Sequence, residues 1–194
     1  MNKVKLGKKQ LLYYSFMKCF RIFPIDRKKI VVSNFRGKGY GDNPKYIIEN
    51  LRKRKETYKI YWLVEDKNEK MPEEIHVVKI NSIASLYHLS TAKIWIDNCR
   101  KSPYITKRKK QYYIQTWHGA IGFKKIEKEA PGLTEEYRLA SLNDSKMIDI
   151  LLSGSQWCTE MLQRSFWYCG KVLEVGSPRN DIFFLDNDEL KLCI

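Results

Sequence analysis

Between residues 29 and 175, short apolar runs alternate with segments of helical length, and this alternation admits few folds. Lys29-Ile30-Val31-Val32-Ser33 is β-branched and predicts a strand. A helix is expected over 43–54, with Asn43 suited to the N-cap and Pro44 to the first helical position. Strands are expected at 58–64 and 76–80, a helix at 82–90, and strands at 93–97 and 111–116. A helix over 134–146, a strand over 149–152, a helix over 155–166 and a strand over 172–175 follow. The expectation is an α/β, Rossmann-like three-layer domain with a mostly parallel sheet. In such sheets ligands bind beyond the carboxyl ends of the strands, so the strand-to-loop junctions are the places to look.

Charge bounds the partners. Thirty-six Lys and Arg against 22 Asp and Glu leave a formal charge of +14, which favours polyanions without selecting among nucleic acid, anionic lipid and phosphate-rich polymer. No helix-turn-helix, RRM or zinc-finger signature accompanies it, so nucleic acid is not expected as a partner. The five cysteines are odd in number and scattered with no Cys-x-x-Cys pair, which predicts reduced thiols in a cytoplasmic protein. The longest apolar stretch, residues 11–17, is far short of the ~20 residues that span a bilayer.

Residues 1–25 read as a separate basic amphipathic segment ahead of a domain over 26–194. Leu12, Phe16, Cys19, Phe20 and Phe23 fall on one helical face, and Pro24 ends the helix. A basic helix with an aromatic stripe suits an anionic membrane surface. A helix packed on the domain, with its charges merely solvated, suits the pattern as well.

Three junctions carry candidate chemistry. Gln115-Thr116-Trp117-His118-Gly119 sets His118 just past an apolar strand, beside a glycine that lets the backbone turn and a substrate approach. An imidazole there can take a proton from a hydroxyl near neutral pH, although a histidine after a strand is more often a structural residue. His76 and His88 have no such setting. The glycine loop Arg36-Gly37-Lys38-Gly39-Tyr40-Gly41 precedes a helix N-terminus and either meets a phosphate or simply connects two elements. Gly176-Ser177-Pro178-Arg179-Asn180-Asp181 can start a short helix with Arg179 near its positive end, suited to an anion, or form a plain turn. Arg100, Lys101, Lys107, Arg108, Lys109 and Lys110 form a second basic run, read as a solvated loop that could help hold a polyanion. No metal-ligand cluster and no cofactor motif appears.

Together Phe23-Pro24, Asn34-Phe35, Asp42-Asn43-Pro44-Lys45, Ile96-Asp97-Asn98, Gln115-Thr116-Trp117-His118-Gly119, residues 153–156 and Gly176-Ser177-Pro178-Arg179-Asn180-Asp181 resemble the CDP-glycerol glycerophosphotransferase family in order and spacing. The resemblance runs from about residue 20 to about residue 185. It implies the amino-terminal, acceptor-side half of a two-domain glycosyltransferase-B architecture, in which a second domain binds CDP-glycerol. That second domain would lie beyond these 194 residues, and the chain would be inactive without it. The implied reaction transfers glycerol phosphate to a lipid-linked polyanionic acceptor at the cytoplasmic face of the bacterial membrane, with no cofactor. His118 would be the general base. Trp117, Gly119, Asp97, Asn98, Asn43 and Arg179 would bind substrate, Asp97 and Asn98 by orienting the histidine or holding the acceptor. A non-catalytic module that docks anionic lipid or teichoic-acid primer is the alternative.

Overall fold

In the computed structural model, residues 4–54, 57–119 and 122–184 are described. Seven strands form one sheet: β1 (Asp26–Ser33), β2 (Lys59–Val64), β3 (Ile75–Lys79), β4 (Ala92–Asp97), β5 (Tyr112–Gln115), β6 (Ile150–Ser153) and β7 (Lys171–Glu174). Their order is β3-β2-β1-β4-β5-β6-β7, and every neighbouring pair is parallel. Strand order reverses between β1 and β4, which makes their carboxyl ends the switch point where such sheets open a crevice. The fold is the α/β, Rossmann-like one expected from the alternation.

The helices are α1 (Lys8–Cys19), α2 (Asp42–Lys53), α3 (Ile83–Thr91), α4 (Glu135–Ser145) and α5 (Gln156–Ser165). They cover both faces of the sheet, as a parallel sheet requires. On one face, Val31, Leu63, Trp95, Tyr113 and Leu151 pack with Met17 of α1, Leu86 and Leu89 of α3, and Met161 and Leu162 of α5. On the other, Val32, Trp62 and Ile96 pack against Ile48 of α2. Side chains two residues apart on a strand share a face, so the near-continuous apolar runs of β1, β2 and β4 feed both cores.

Two expectations about elements change. Asn43 is not the N-cap of α2: Gly41 caps it, and the helix opens at Asp42. The Asn43 amide is instead committed to two distant segments, donating to the Trp117 carbonyl at 3.1 Å and accepting from the Arg179 N–H at 3.2 Å. The buried side of α1 also differs from the stripe read in sequence. Met17 is fully buried, with Tyr13, Tyr14, Phe16 and Phe20 partly so, whereas Leu12 and Cys19 face solvent. Tyr13 donates to the Asn81 carbonyl, the Ser90 hydroxyl to the Met17 carbonyl, and the Phe20 and Phe23 rings meet Tyr87 edge-on. α1 therefore packs along α3 rather than standing apart.

The second basic run is largely consumed by the fold. Arg100 and Lys101 are buried. Lys101 pairs with Asp97 at 2.7 Å, Lys107 with Asp149 at 2.5 Å, and Arg108 donates to the carbonyls of Phe23 and Ser90. Only Lys109 and Lys110 of the six are exposed. Arg100 lies between Glu127 at 2.9 Å and Asp144 at 3.0 Å, with Phe166 stacked on its guanidinium at 4.0 Å. Burial pushes the Asp144 carboxyl up to about 6 against the pull of Arg100. None of these three partners is near Arg100 in sequence, so nothing in the sequence read locally signals the cluster.

Candidate active site

His118 stands one turn beyond the end of β5, next to the switch point. The backbone reaches it through a left-handed residue, but that residue is Trp117 (φ 51°) and not the neighbouring glycine. An aromatic residue in this region costs about 1–3 kcal/mol and persists only where its surroundings over-determine it. Three hydrogen bonds do so. Trp117 N–H donates to Gln115 Oε1 at 2.9 Å, and its carbonyl accepts from Asn43 Nδ2 and Thr116 Oγ1. Gln115 is itself fully buried, its amide donating to the Cys99 carbonyl and the Tyr113 hydroxyl. The Trp117 ring then wedges between Phe166 and the His118 imidazole. Gly119 packs beside the Trp117 ring, where a Cβ would make no more than ordinary contact with Nε1 at 3.4 Å.

The imidazole is oriented from β4. His118 Nδ1 lies 2.6 Å from the carbonyl oxygen of Asn98. A carbonyl only accepts, so Nδ1 carries the proton, and the neutral ring presents Nε2 as its basic nitrogen. Nε2 has no protein hydrogen-bond partner among the described residues. The Phe35 ring covers the imidazole at a centroid distance of 5.2 Å. Cys99 Sγ sits 3.8 Å from Nδ1, and burial pushes that thiol up to about 11, so it is a neutral neighbour rather than a thiolate.

Behind the histidine lies a closed polar network. The fully buried Asn98 side chain donates to Asn34 Oδ1 at 2.8 Å and Asp42 Oδ2 at 2.6 Å, and accepts from the Phe35 N–H at 2.7 Å. Asp42 Oδ1 accepts from Arg179 Nη1 at 2.6 Å, and the same nitrogen donates to the His118 carbonyl at 3.0 Å. The loop after β1, the ends of β4 and β5, the start of α2 and the 3-10 helix Pro178–Phe184 are thus bound to one another around His118. Burying so many polar groups is tolerable because each finds a partner.

The residues singled out in sequence therefore separate into two sets. His118, Trp117, Gly119, Asn43 and Arg179 line one narrow cleft whose free volume of about 10 Å³ has room for about one water, together with Ser153 at the end of β6, Gly154, and Gly176 and Ser177 after β7. Asp97 does not join them. Its carboxylate is buried, held by Lys101 and by the Cys99 N–H, and among the described residues it makes no hydrogen bond to the imidazole. Asn98 orients His118 through its backbone, with its side chain spent on the network. Arg179 reaches the cleft with its charge already paired to Asp42. Phe35 and Asp42 stand in recognisable motifs, but only the topology shows that the Phe35 ring meets the histidine and that Asp42 joins the network behind it.

The glycine loop is tied together by hydrogen bonds of its own. Asn34 Oδ1 and Nδ2 and its carbonyl engage Asn98, Lys38, Gly39 and the Gly37 N–H. Gly37 (φ 105°) presses on β2, where a Cβ would come within 2.9 Å of the Glu65 nitrogen. The glycine is demanded by that approach.

A parallel Rossmann-like domain with a histidine presented at its switch-point crevice is one of the architectures on which group-transfer enzymes are built. This chain belongs to the CDP-Glycerol:Poly(glycerophosphate) glycerophosphotransferase family, which matches residues 15–192. It is 32% identical over 181 residues to the teichoic acid poly(glycerol phosphate) polymerase of Bacillus subtilis, covering 90% of this chain and 24% of that protein. The corresponding polymerase of Bacillus spizizenii is 29% identical, with 96% of this chain and 50% of that protein covered. Among solved structures, a variant of the wall teichoic acid polymerase TagF soaked with CDPG superposes with a TM-score of 0.83 at 29% identity, over 96% of this chain and 48% of that one. Another TagF variant gives 0.80 at 31% identity, over 96% and 47%. The chain spans between a quarter and a half of the length of these curated relatives.

Proposed function

We propose that the chain supplies the acceptor-side base of a glycerophosphotransferase that moves glycerol phosphate from CDP-glycerol to a membrane-linked teichoic acid acceptor. His118 Nε2 takes the proton of the acceptor's terminal hydroxyl as that oxygen attacks the glycerol-bearing phosphorus. The bond from phosphorus to the CMP oxygen breaks, and CMP leaves. A base so placed contributes about 10²- to 10⁴-fold. The observation that carries the reading is the Asn98 carbonyl 2.6 Å from Nδ1, which fixes the tautomer and leaves Nε2 unpartnered on a residue that lines the cleft.

Trp117 and Phe35 set the ring plane, and Gly119 lines the cleft beside it. Arg179 and Asn43 act as positioning residues, because their polar groups are spent on Asp42, Trp117 and His118. The work takes place at the cytoplasmic face of the membrane, with CDP-glycerol held largely by the partner half that the relatives possess. No helix among the described residues is long and apolar enough to cross a membrane, which suits a peripheral attachment.

The test is CMP release from CDP-glycerol with membranes carrying a glycerol-phosphate-primed acceptor. The chain is joined to the complementary half of the Bacillus spizizenii relative, with and without His118→Ala. A loss of 10²-fold or more supports the base; release unchanged by the substitution rejects it and leaves a binding module.

A further inference from the structure

Left-handed backbone gathers around His118. Seven non-glycine residues among those described have positive φ, and four of them, Phe35, Arg36, Asp42 and Trp117, stand in the loops that meet at the histidine. Three of the four have a local reason. Trp117 brings the imidazole back over β4, Asp42 binds Asn98 and Arg179, and Phe35 engages Asn98 through its N–H and His118 through its ring. Arg36 (φ 61°) has no such reason. It is exposed, and among the described residues its side chain makes no hydrogen bond and no ion pair.

The conformation is imposed on Arg36 from both sides. Phe35 before it donates to Asn98 Oδ1 at 2.7 Å, while Gly37 and Lys38 after it donate to the Asn34 carbonyl at 2.8 and 2.9 Å. A left-handed position suits glycine better than arginine, so folding alone gives no reason for a guanidinium there. Its charge is felt at the site. Burial, with Asp97, pushes the Cys99 thiol up and Arg36 acts against them, and that thiol sits 3.8 Å from His118 Nδ1. The acids nearby are already matched, Asp42 by Arg179 and Asp97 by Lys101, which leaves the Arg36 charge uncompensated. With the Gly37 and Lys38 N–H groups committed to Asn34, the arginine side chain is what this part of the loop offers an anion.

We propose that Arg36 holds the phosphodiester that precedes the acceptor's terminal glycerol, while His118 takes the proton of that glycerol's free hydroxyl. This role rests on the transfer reading above, in which Arg179 and Asn43 are committed within the protein and leave the acceptor's phosphate without a charged partner. A glycerol unit separates its phosphate from its free hydroxyl by its own short carbon chain. When the hydroxyl is at the imidazole, the preceding phosphate therefore falls close beside it. Arg36 follows directly on the Phe35 ring that covers the imidazole, so its side chain starts from that side of the site. A guanidinium suits the task, since its planar fork donates two parallel hydrogen bonds to phosphate oxygens. Gripped in this way, the acceptor is oriented by its own phosphate, and a polyol without one binds poorly.

The experiment titrates the ¹⁵N-labelled chain with glycerophosphoglycerol, a phosphodiester with a free terminal glycerol, and separately with glycerol and with CDP-glycerol. Arg36→Gly, which suits the left-handed backbone, should weaken glycerophosphoglycerol at least fivefold while the urea midpoint stays level or rises. Arg36→Lys should fall between, and Lys109→Gln, an exposed cation at the other end of the sheet, should change affinity less than about twofold. Failure of the wild-type chain to prefer the diester over glycerol, or equal binding by Arg36→Gly, would overturn the assignment. So would a lowered urea midpoint with unchanged binding, which would make Arg36 a strut of the loop. A loss confined to CDP-glycerol would assign the charge to the donor's diphosphate and overturn the acceptor role. If Arg36→Gly fails to fold, Arg36→Gln carries the same comparison. Binding involves no proton transfer, so transfer that survives His118→Ala would reject the base while this titration still decides Arg36.

Discussion

The backbone carbonyl of Asn98, at the end of β4, holds Nδ1 of His118, beyond the end of β5, at 2.6 Å. The two strands are adjacent and parallel, with Asp97 opposite Gln115, so their carboxyl ends emerge side by side. The left-handed Trp117 then swings the imidazole back over β4. The position of that carbonyl depends in turn on the Asn98 side chain, which is bonded on three sides within the protein.

Replacing Asn98 by alanine would leave the Phe35 N–H, Asn34 Oδ1 and Asp42 Oδ2 with a lost partner in a buried place. Each unsatisfied buried group costs about 1–3 kcal/mol, and relaxation recovers part of it. Urea unfolding should show a loss of about 2–4 kcal/mol for Asn98→Ala, with little change in slope. A loss below about 0.5 kcal/mol would show that the network does not hold the site.

The Arg100 cluster makes a second prediction, about stability alone. Arg100→Met keeps the contact with Phe166 but leaves Asp144 and Glu127 buried without their cation. Breaking one partner out of a buried ion cluster typically costs about 3–5 kcal/mol. Adding Asp144→Asn and Glu127→Gln to Arg100→Met should restore much of that loss, because no unpaired charge then remains. Thermal melts of the two variants decide it.

How much of this is legible in sequence depends on range. The alternation of β-branched runs with helical segments is a local signal, and it yields each strand to within a few residues. Trp117-His118-Gly119 is equally local, so His118 stands out from the sequence alone. The turn itself is another matter: sequence rules give left-handed backbone to Gly119, whereas three hydrogen bonds, one of them from distant Asn43, hold Trp117 there. Asn43 reads as a helix cap because its type is right. Its amide is claimed by Trp117 and by Arg179, the latter 136 positions away, which local reasoning cannot see. The basic run from Arg100 to Lys110 reads as solvated because its acids, Asp97 apart, lie beyond it at Glu127, Asp144 and Asp149.

His88 gives the molecule a pH dependence of known sign. Its ring stacks on Tyr61 at 3.9 Å, with Nδ1 buried and unpartnered. Burial, with Lys29 and His76 nearby, lowers its pKa from 6.5 to about 4. The fold therefore prefers the neutral ring. The stability this contributes is fully present above pH 6.5 and is lost as pH falls toward 4, amounting to about 1–3 kcal/mol after allowance for partial exposure. Asp144, raised to about 6, acts in the opposite direction over part of that range, so the comparison must be with a variant. His88→Phe, which keeps the stacking, should lose less stability than the wild type between about pH 6.5 and about pH 4.5. Parallel curves would show that His88 does not titrate with unfolding.

The functional reading turns on which nitrogen of His118 carries the proton, and a long-range proton–nitrogen NMR spectrum of the ¹⁵N-labelled chain, taken well above the usual imidazole pKa of ~6.5, reads that directly. The Asn98 carbonyl predicts the Nδ1–H tautomer, with Nε2 as the unprotonated nitrogen. A predominant Nε2–H tautomer would contradict the account, because the nitrogen left without a protein partner could then donate a proton but not accept one from an attacking hydroxyl.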